Sequence, residues 1–92
     1  MWVTNSHKEV TKTYLRYDIK SSITNLTQKS NDIHYMIVAI DRAIGGTPSG
    51  NDTRLIGNCH QALQELSSAM QTLNNCLESV NQLETREWVD DD

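Results

Sequence analysis

The chain has 92 residues, 37% of them hydrophobic, with no Phe and a net charge of −4. This length allows one small domain with a modest core, so a second subunit is an expected source of stability. The basic residues form no concentrated patch for nucleic acid, and no apolar run reaches the ~20 residues of a membrane span. The first ten residues contain no apolar run either, so an ordinary signal peptide is not expected.

The first predicted element is a helix over residues about 7–44. Ser6 and Glu9 have the spacing of a capping box at its start. An apolar seam then follows at steps of four and three, with Ser30 in its one polar position: Ile19, Ile23, Leu26, Ile33, Ile37, Ile40 and Ile44. Ser30, Asn31 and Asp32 favour caps over helix interiors, so both a continuous helix and a break there remain open.

A bend at residues 45–52 separates the two helices. Gly45 and Gly46 favour a left-handed helix end, and Pro48 cannot continue a helix. Asn51 or Asp52 is expected to cap the second helix.

The second helix, at residues about 53–85, has the cleaner pattern. Its seam steps by three and four without a gap: Ile56, Cys59, Leu63, Leu66, Met70, Leu73, Leu77 and Val80. A second stripe runs beside this seam: Leu55, Ala62, Ala69, Cys76 and Leu83. Residues 86–92 form an acidic tail, which we expect to fray because a helix C-terminus disfavours anions.

These elements predict a single all-α domain, a long antiparallel helical hairpin. The apolar face of its second helix is wider than one facing helix can cover, so the hairpin is expected to be half of a four-helix bundle. The predicted partner-binding residues are those of the second seam, together with Ile33, Ile37 and Ile40 of the first helix. Charge is uneven along the chain, since residues 1–29 carry five basic and two acidic side chains and the remainder carries three and ten. This asymmetry favours antiparallel or head-to-tail contact.

The sequence predicts neither a metal centre nor an active site. His7, His34 and His60 are scattered and have no ligand at zinc-site spacing. Cys59 and Cys76 would lie about 25 Å apart on a straight helix, too far for a disulfide within the chain, although pairing between chains and their redox state stay open. Because no phosphate loop, nucleophile elbow or catalytic pair is present, we expect no enzyme activity and no cofactor.

This layout resembles the early secreted antigen family, or WXG-type family, of type VII secretion. The resemblance covers residues 10–92 and rests on Gly45 to Gly50 at the bend, the leucine-rich second helix and the short tail. Trp88 and Asp92 fit a loosened form of the family's tail signal, an aromatic residue followed four positions later by an acid. The bend lacks the Trp-x-Gly of the family name, and Tyr14 and Asp18 repeat the tail spacing inside the first helix. The chain therefore looks like a divergent relative, similar to the small helical partners of LXG-type toxins.

The resemblance implies a function in export. A small protein of this class would bind the helical N-terminal domain of a toxin, or itself, and complete an export signal at Trp88 and Asp92. These two residues would share one face of a helical turn and could dock on a secretion ATPase. The chain would be cytoplasmic and would leave the cell, if exported, by a route that needs no signal peptide. The alternative is a generic helical adaptor or inhibitor, such as a phage-encoded binder, an antitoxin or a coiled-coil subunit.

Overall fold

The computed structural model describes residues 1–90, which form a helical hairpin closed at one end by a short β-ribbon. In chain order the elements are β1 (Trp2–Thr4), α1 (Ser6–Ile44), α2 (Gly50–Asn81) and β2 (Arg86–Trp88). The two helices pack antiparallel, and the molecule measures 80 × 15 × 12 Å. The predicted all-α antiparallel hairpin is confirmed. No helix within residues 1–90 is long and apolar enough to cross a membrane.

Helix α1 begins one residue before the predicted start. Its cap is Asn5, whose side chain accepts a 3.0 Å hydrogen bond from the Lys8 amide, so the predicted cap at Ser6 is wrong. Asn is at least as good a cap as Ser, and from residue 5 it reaches the third amide of the helix.

The polar triplet at 30–32 does not interrupt α1, which settles the question that the sequence left open. Asp32 accepts a 3.3 Å hydrogen bond from Gln28 and lies 3.8 Å from the Lys29 ammonium. Its side chain therefore bonds along the helix surface, where it does not compete for the backbone.

The bend is shorter than predicted because Ser49, not Asn51 or Asp52, caps α2. Gly45 closes α1 in the left-handed conformation (φ 59°), and its amide donates to the Asp41 carbonyl. The Ser49 hydroxyl accepts from the Asp52 amide while the Asp52 carboxylate accepts from the Ser49 amide, a complete capping box. Helix α2 consequently begins at Gly50, three residues before the predicted start.

The C-terminal segment departs most from the prediction. Helix α2 ends at Asn81, not near residue 85, and the tail forms strand β2 where fraying was expected. Strand β2 pairs antiparallel with β1, with Trp2 opposite Trp88. The sequence interpretation treated the two ends of the chain separately, whereas the hairpin brings them together and lets their backbone amides bond to each other.

The core is the line of side chains between the two helices, which we call the seam. It consists of Ile19, Ile23, Leu26, Ser30, Ile33, Ile37, Ile40 and Ile44 on α1, and the eight predicted seam residues from Ile56 to Val80 on α2. Only Cys59 and Val80 among them are buried, at 8% and 9% exposure, and the others are half-buried. Two helices cover only one side of each other, which leaves the seam partly open to solvent.

Candidate partner-binding surface

The residues predicted to bind a partner lie in the seam of their own hairpin. All of them are half-buried or buried there: Ile33, Ile37 and Ile40 on α1, and Ile56, Cys59, Leu63, Leu66, Met70, Leu73, Leu77 and Val80 on α2. Their first contacts are therefore within the chain. A partner helix can reach only the part of each side chain that the opposite helix leaves uncovered.

One side of the seam is bordered by apolar and small residues. Half of the seam residues on each helix are directly preceded by a residue on this side: Ile23, Ser30, Ile37 and Ile44 on α1, and Ile56, Leu63, Met70 and Leu77 on α2. In an antiparallel helix pair these preceding positions of both helices lie on the same side of the seam. We call this surface the apolar flank; it comprises Leu15, Ser22, Lys29, Met36 and Ala43 on α1, Leu55, Ala62, Ala69 and Cys76 on α2, and Leu83 just beyond the end of α2. Three of its large side chains are about half exposed, with Met36 at 51%, Leu55 at 46% and Leu83 at 49%.

The opposite side of the seam has no apolar residue. This polar flank comprises Thr13, Lys20, Thr27, His34 and Asp41 on α1, and Thr53, His60, Ser67, Asn74 and Asn81 on α2. Two hydrogen bonds cross the seam there: the Thr27 hydroxyl donates to the Met70 sulfur at 3.4 Å, and the Arg16 guanidinium to the Asn81 amide oxygen at 2.7 Å. The hairpin thus presents one surface suited to another protein and one suited to water.

The apolar flank has a shallow depression at each end. The one beside the bend is lined by Ala43, Leu55 and Asp52, together with the ends of the α1 seam. The one at the terminal end is lined by Leu83, Lys8 and Lys12, and the Lys12 ammonium donates a 3.0 Å hydrogen bond to the Leu83 carbonyl. The depression beside the bend joins residues of α1 and α2, whereas the one at the terminal end joins α1 to the segment that follows α2.

A second exposed apolar group lies on the outer face of α1, away from α2. It contains all three tyrosines of the chain, and Tyr14, Tyr17 and Tyr35 are 64%, 73% and 76% exposed. Val10 and Val38 extend the group at its two ends. Between residues 18 and 31 the outer face of α1 contains only polar side chains, so the group is two separate patches and not a continuous surface.

The terminal ribbon contains both tryptophans of the chain. Trp2 and Trp88 pack edge to face with ring centroids 5.7 Å apart, and the Arg86 guanidinium lies 5.1 Å above the Trp2 ring. The Trp88 indole N–H donates to the Asp90 carboxylate at 3.1 Å. Trp88 nevertheless remains 61% exposed.

This geometry changes the physical basis of the predicted export signal. Trp88 lies in a strand, so the helical turn that would put residues 88 and 92 on one face is absent at Trp88. Asp92 itself lies outside the described residues. Residues 86–88 form a strand and not a helical turn, because their backbone pairs with that of β1.

Charged groups fasten the ribbon to the hairpin. The Lys8 ammonium lies 2.9 Å from the Glu87 carboxylate, and this contact with a hydrogen bond from Asn5 lowers the pKa of Glu87. Hydrogen bonds from the Arg86 guanidinium and amide lower the pKa of Glu84 to about 2. The hydrogen bonds of the capping box likewise lower the pKa of Asp52 at the other end.

The described residues contain no cluster of three or more potential metal ligands, and both cysteines are free thiols. Cys59 is buried in the seam, whereas Cys76 is exposed on the apolar flank. The chain matches no protein-family model, no curated protein and no solved structure.

Proposed function

We propose that the protein is a small helical partner in type VII export, a hairpin that completes its core against another helical protein. The observation that carries this proposal is the apolar flank, which continues a half-buried seam on one side only. If a partner packed a pair of helices along the apolar flank, the four helices would form a bundle. This bundle would cover both the flank and the seam.

The energetic reason is the amount of apolar surface left wet. Met36, Leu55 and Leu83 each expose about half of their side chains. Covering one such side chain is worth about 1 kcal/mol at roughly 25 cal/mol per Å². The half-buried seam would also become more buried in the complex. This matters because a chain of this size has a small free energy of unfolding.

The assignment to type VII export rests on the resemblance of the bend, the second helix and the tail. The proposed partner is the helical N-terminal domain of an LXG-type toxin. For Trp88 to act in export, a receptor must either bind its side chain on the face of the ribbon or separate the two strands of the ribbon. Its 61% exposure makes the first route physically open.

The ribbon also favours the second candidate function, a generic helical adaptor or inhibitor. Trp88 is held by Trp2, Arg86 and Asp90 and by strand pairing, so the tail has a structural function without any receptor. An adaptor would use the same apolar flank and would need no export signal.

A co-expression experiment tests the binding function. The partner tested is the helical N-terminal domain of an LXG-type toxin, and the variants are Ala69→Arg on the apolar flank and Ser67→Arg on the polar flank. We expect Ala69→Arg to lose the co-purified toxin domain, because it places a charge inside the bundle, and Ser67→Arg to retain it. Equal co-purification of both variants would refute the flank as the binding surface.

Export provides the test between the two candidates. If the tail signal is real, Trp88→Ala should reduce secretion of the toxin while the complex still forms. Normal secretion of Trp88→Ala would remove the tail signal and leave the adaptor function.

A further inference from the structure

The outer edge of strand β1 has backbone groups that no other part of the hairpin uses. The Asn5 amide donates across the ribbon to the Thr85 carbonyl at 2.7 Å. Bonded and non-bonded residue pairs alternate in an antiparallel ribbon, so Trp2 and Thr4 point their amides and carbonyls away from β2. No hydrogen bond joins these groups to another residue in the range 1–90. Strand β1 therefore offers free donors and acceptors along its outer edge.

The outer edge of β2 differs, because a carboxylate already occupies it. The Arg86 amide points to that edge and donates to the Glu84 carboxylate at 2.9 Å. The Arg86 guanidinium donates to both oxygens of the same carboxylate, at 3.0 and 3.2 Å. A strand that approached β2 would have to displace Glu84, and charged side chains at a sheet edge commonly prevent further pairing.

We propose that an extended segment of another protein pairs with the free edge of β1 as a third strand. An antiparallel segment would exchange a pair of hydrogen bonds with Trp2 and another with Thr4. Its residue opposite Trp2 would lie on the same face of the ribbon, against an indole ring that is 54% exposed. A β-branched or aromatic residue at that position gives a favourable cross-strand pair. This site lies apart from the apolar flank and does not depend on the function proposed for the flank.

The ring of Trp2 is held in position before any segment binds. Trp88 packs edge to face against it at 5.7 Å, and the Arg86 guanidinium lies 5.1 Å above it. On the opposite face of the ribbon, the Lys8 ammonium lies 2.9 Å from the Glu87 carboxylate and ties the ribbon to α1. A third strand would thus join a ribbon that is already ordered, which lowers the entropic cost of binding.

A second copy of this chain is a poorer occupant of the same edge. Strand β1 ends at Thr4 and α1 begins at Ser6, so two copies could share only the short edges of their strands. Such a contact is far smaller than the roughly 800 Å² per partner that a stable dimer needs. The fullest antiparallel pairing of two β1 edges would also set Trp2 opposite Thr4, which gives the ring no large side chain to pack on.

An NMR titration of the ¹⁵N-labelled chain tests the proposal. The probe is a short synthetic peptide of alternating threonine and valine, with a lysine at each end. We expect saturable shifts of the Trp2 and Thr4 amides, with a dissociation constant of about 1 mM, because a short edge without a deep pocket binds weakly.

Position 4 offers a matched pair of variants. Thr4→Pro removes an amide that the ribbon does not use, so the ribbon should persist and peptide binding should weaken about tenfold or more. Thr4→Ala keeps the amide and should bind as the wild type does. The amides of Asn5 and Val89 donate across the ribbon, so their protection from hydrogen exchange reports whether the ribbon is intact in each variant.

Other results would overturn the proposal. Shifts confined to Arg86 and Trp88 would place the incoming strand on β2. Shifts at Trp2 and Thr4 that grow with protein concentration in the absence of peptide would make a second copy the occupant. Equal binding by Thr4→Pro with an intact ribbon, or no saturable shift up to about 10 mM peptide, would exclude a third strand on β1.

Discussion

The two flanks of the hairpin border the same seam and differ in apolar content, since only one of them contains Leu, Met, Ala or Cys. The apolar flank exposes Met36, Leu55 and Leu83 beside small residues and Lys29, whereas every side chain of the polar flank can form hydrogen bonds. The seam that they share explains the fold of the hairpin, and the difference between the flanks is the observation on which the proposed function rests. A hairpin that worked alone would gain nothing from an apolar row on one side.

The largest expected effect comes from disrupting the seam that both flanks depend on. Leu66→Asp places a carboxylate between the helices, at a cost of about 3 kcal/mol or more, which exceeds what so small a core can lose. We expect loss of the helical circular dichroism signal at 25 °C. Gln64→Asp on the outer face of α2 is the control and should stay folded, and a folded Leu66→Asp would mean that the seam is not the core.

A smaller effect is expected from trimming the apolar flank. Met36→Ala and Leu55→Ala should each weaken the complex between the hairpin and the partner on its apolar flank by about 1 kcal/mol. This is about fivefold in the dissociation constant, with little change in helicity. Sedimentation equilibrium measures the change. Tyr35→Ala, which is more exposed but lies on the outer face of α1, should have no effect; if it weakens assembly as much, the outer face is the interface.

The sequence predicted the hairpin but not how its ends are closed. The steps of three and four between apolar residues predicted the two helices, because this spacing places apolar side chains on one face of a helix. The apolar row from Leu55 to Leu83 was visible in the same way, and it predicted the wide apolar face of the second helix. The α1 side of that flank was not visible, because Leu15, Met36 and Ala43 are separated by Ser22 and Lys29. The ribbon was missed because strands of three residues have no detectable period and depend on a pairing 84 residues away.

The ribbon gives the next smaller effect. Trp2→Ala removes the edge-to-face contact with Trp88 and the ring under Arg86, which together are worth about 1 kcal/mol. We expect faster hydrogen exchange at residues 86–89 and unchanged exchange in the middle of both helices. Unaltered exchange at the ribbon would show that backbone pairing alone holds it.

The smallest effect is a dependence of the ribbon on pH. The pKa of Glu84 in the folded chain is about 2 and that of Glu87 is also lowered, so their contribution is complete above about pH 4.5 and is lost as pH falls toward 2. Both tryptophans lie in the ribbon, so their fluorescence reports it directly. The emission should change between pH 4.5 and 2 in the wild type, and the change should shrink in Glu84→Gln combined with Glu87→Gln. An identical change in that variant would assign it to other groups.

The most direct test of the apolar flank as a binding surface uses the thiol that it already contains. Cys76 is exposed in the isolated hairpin, and Asn74→Cys would place a matched thiol on the polar flank two residues away. If a partner covers the apolar flank, Cys76 in intact cells should react with N-ethylmaleimide at least about tenfold more slowly than the thiol at position 74. Ala69→Arg should remove this protection. Equal reaction rates at the two positions in otherwise unaltered protein would contradict the proposal that the apolar flank binds a partner.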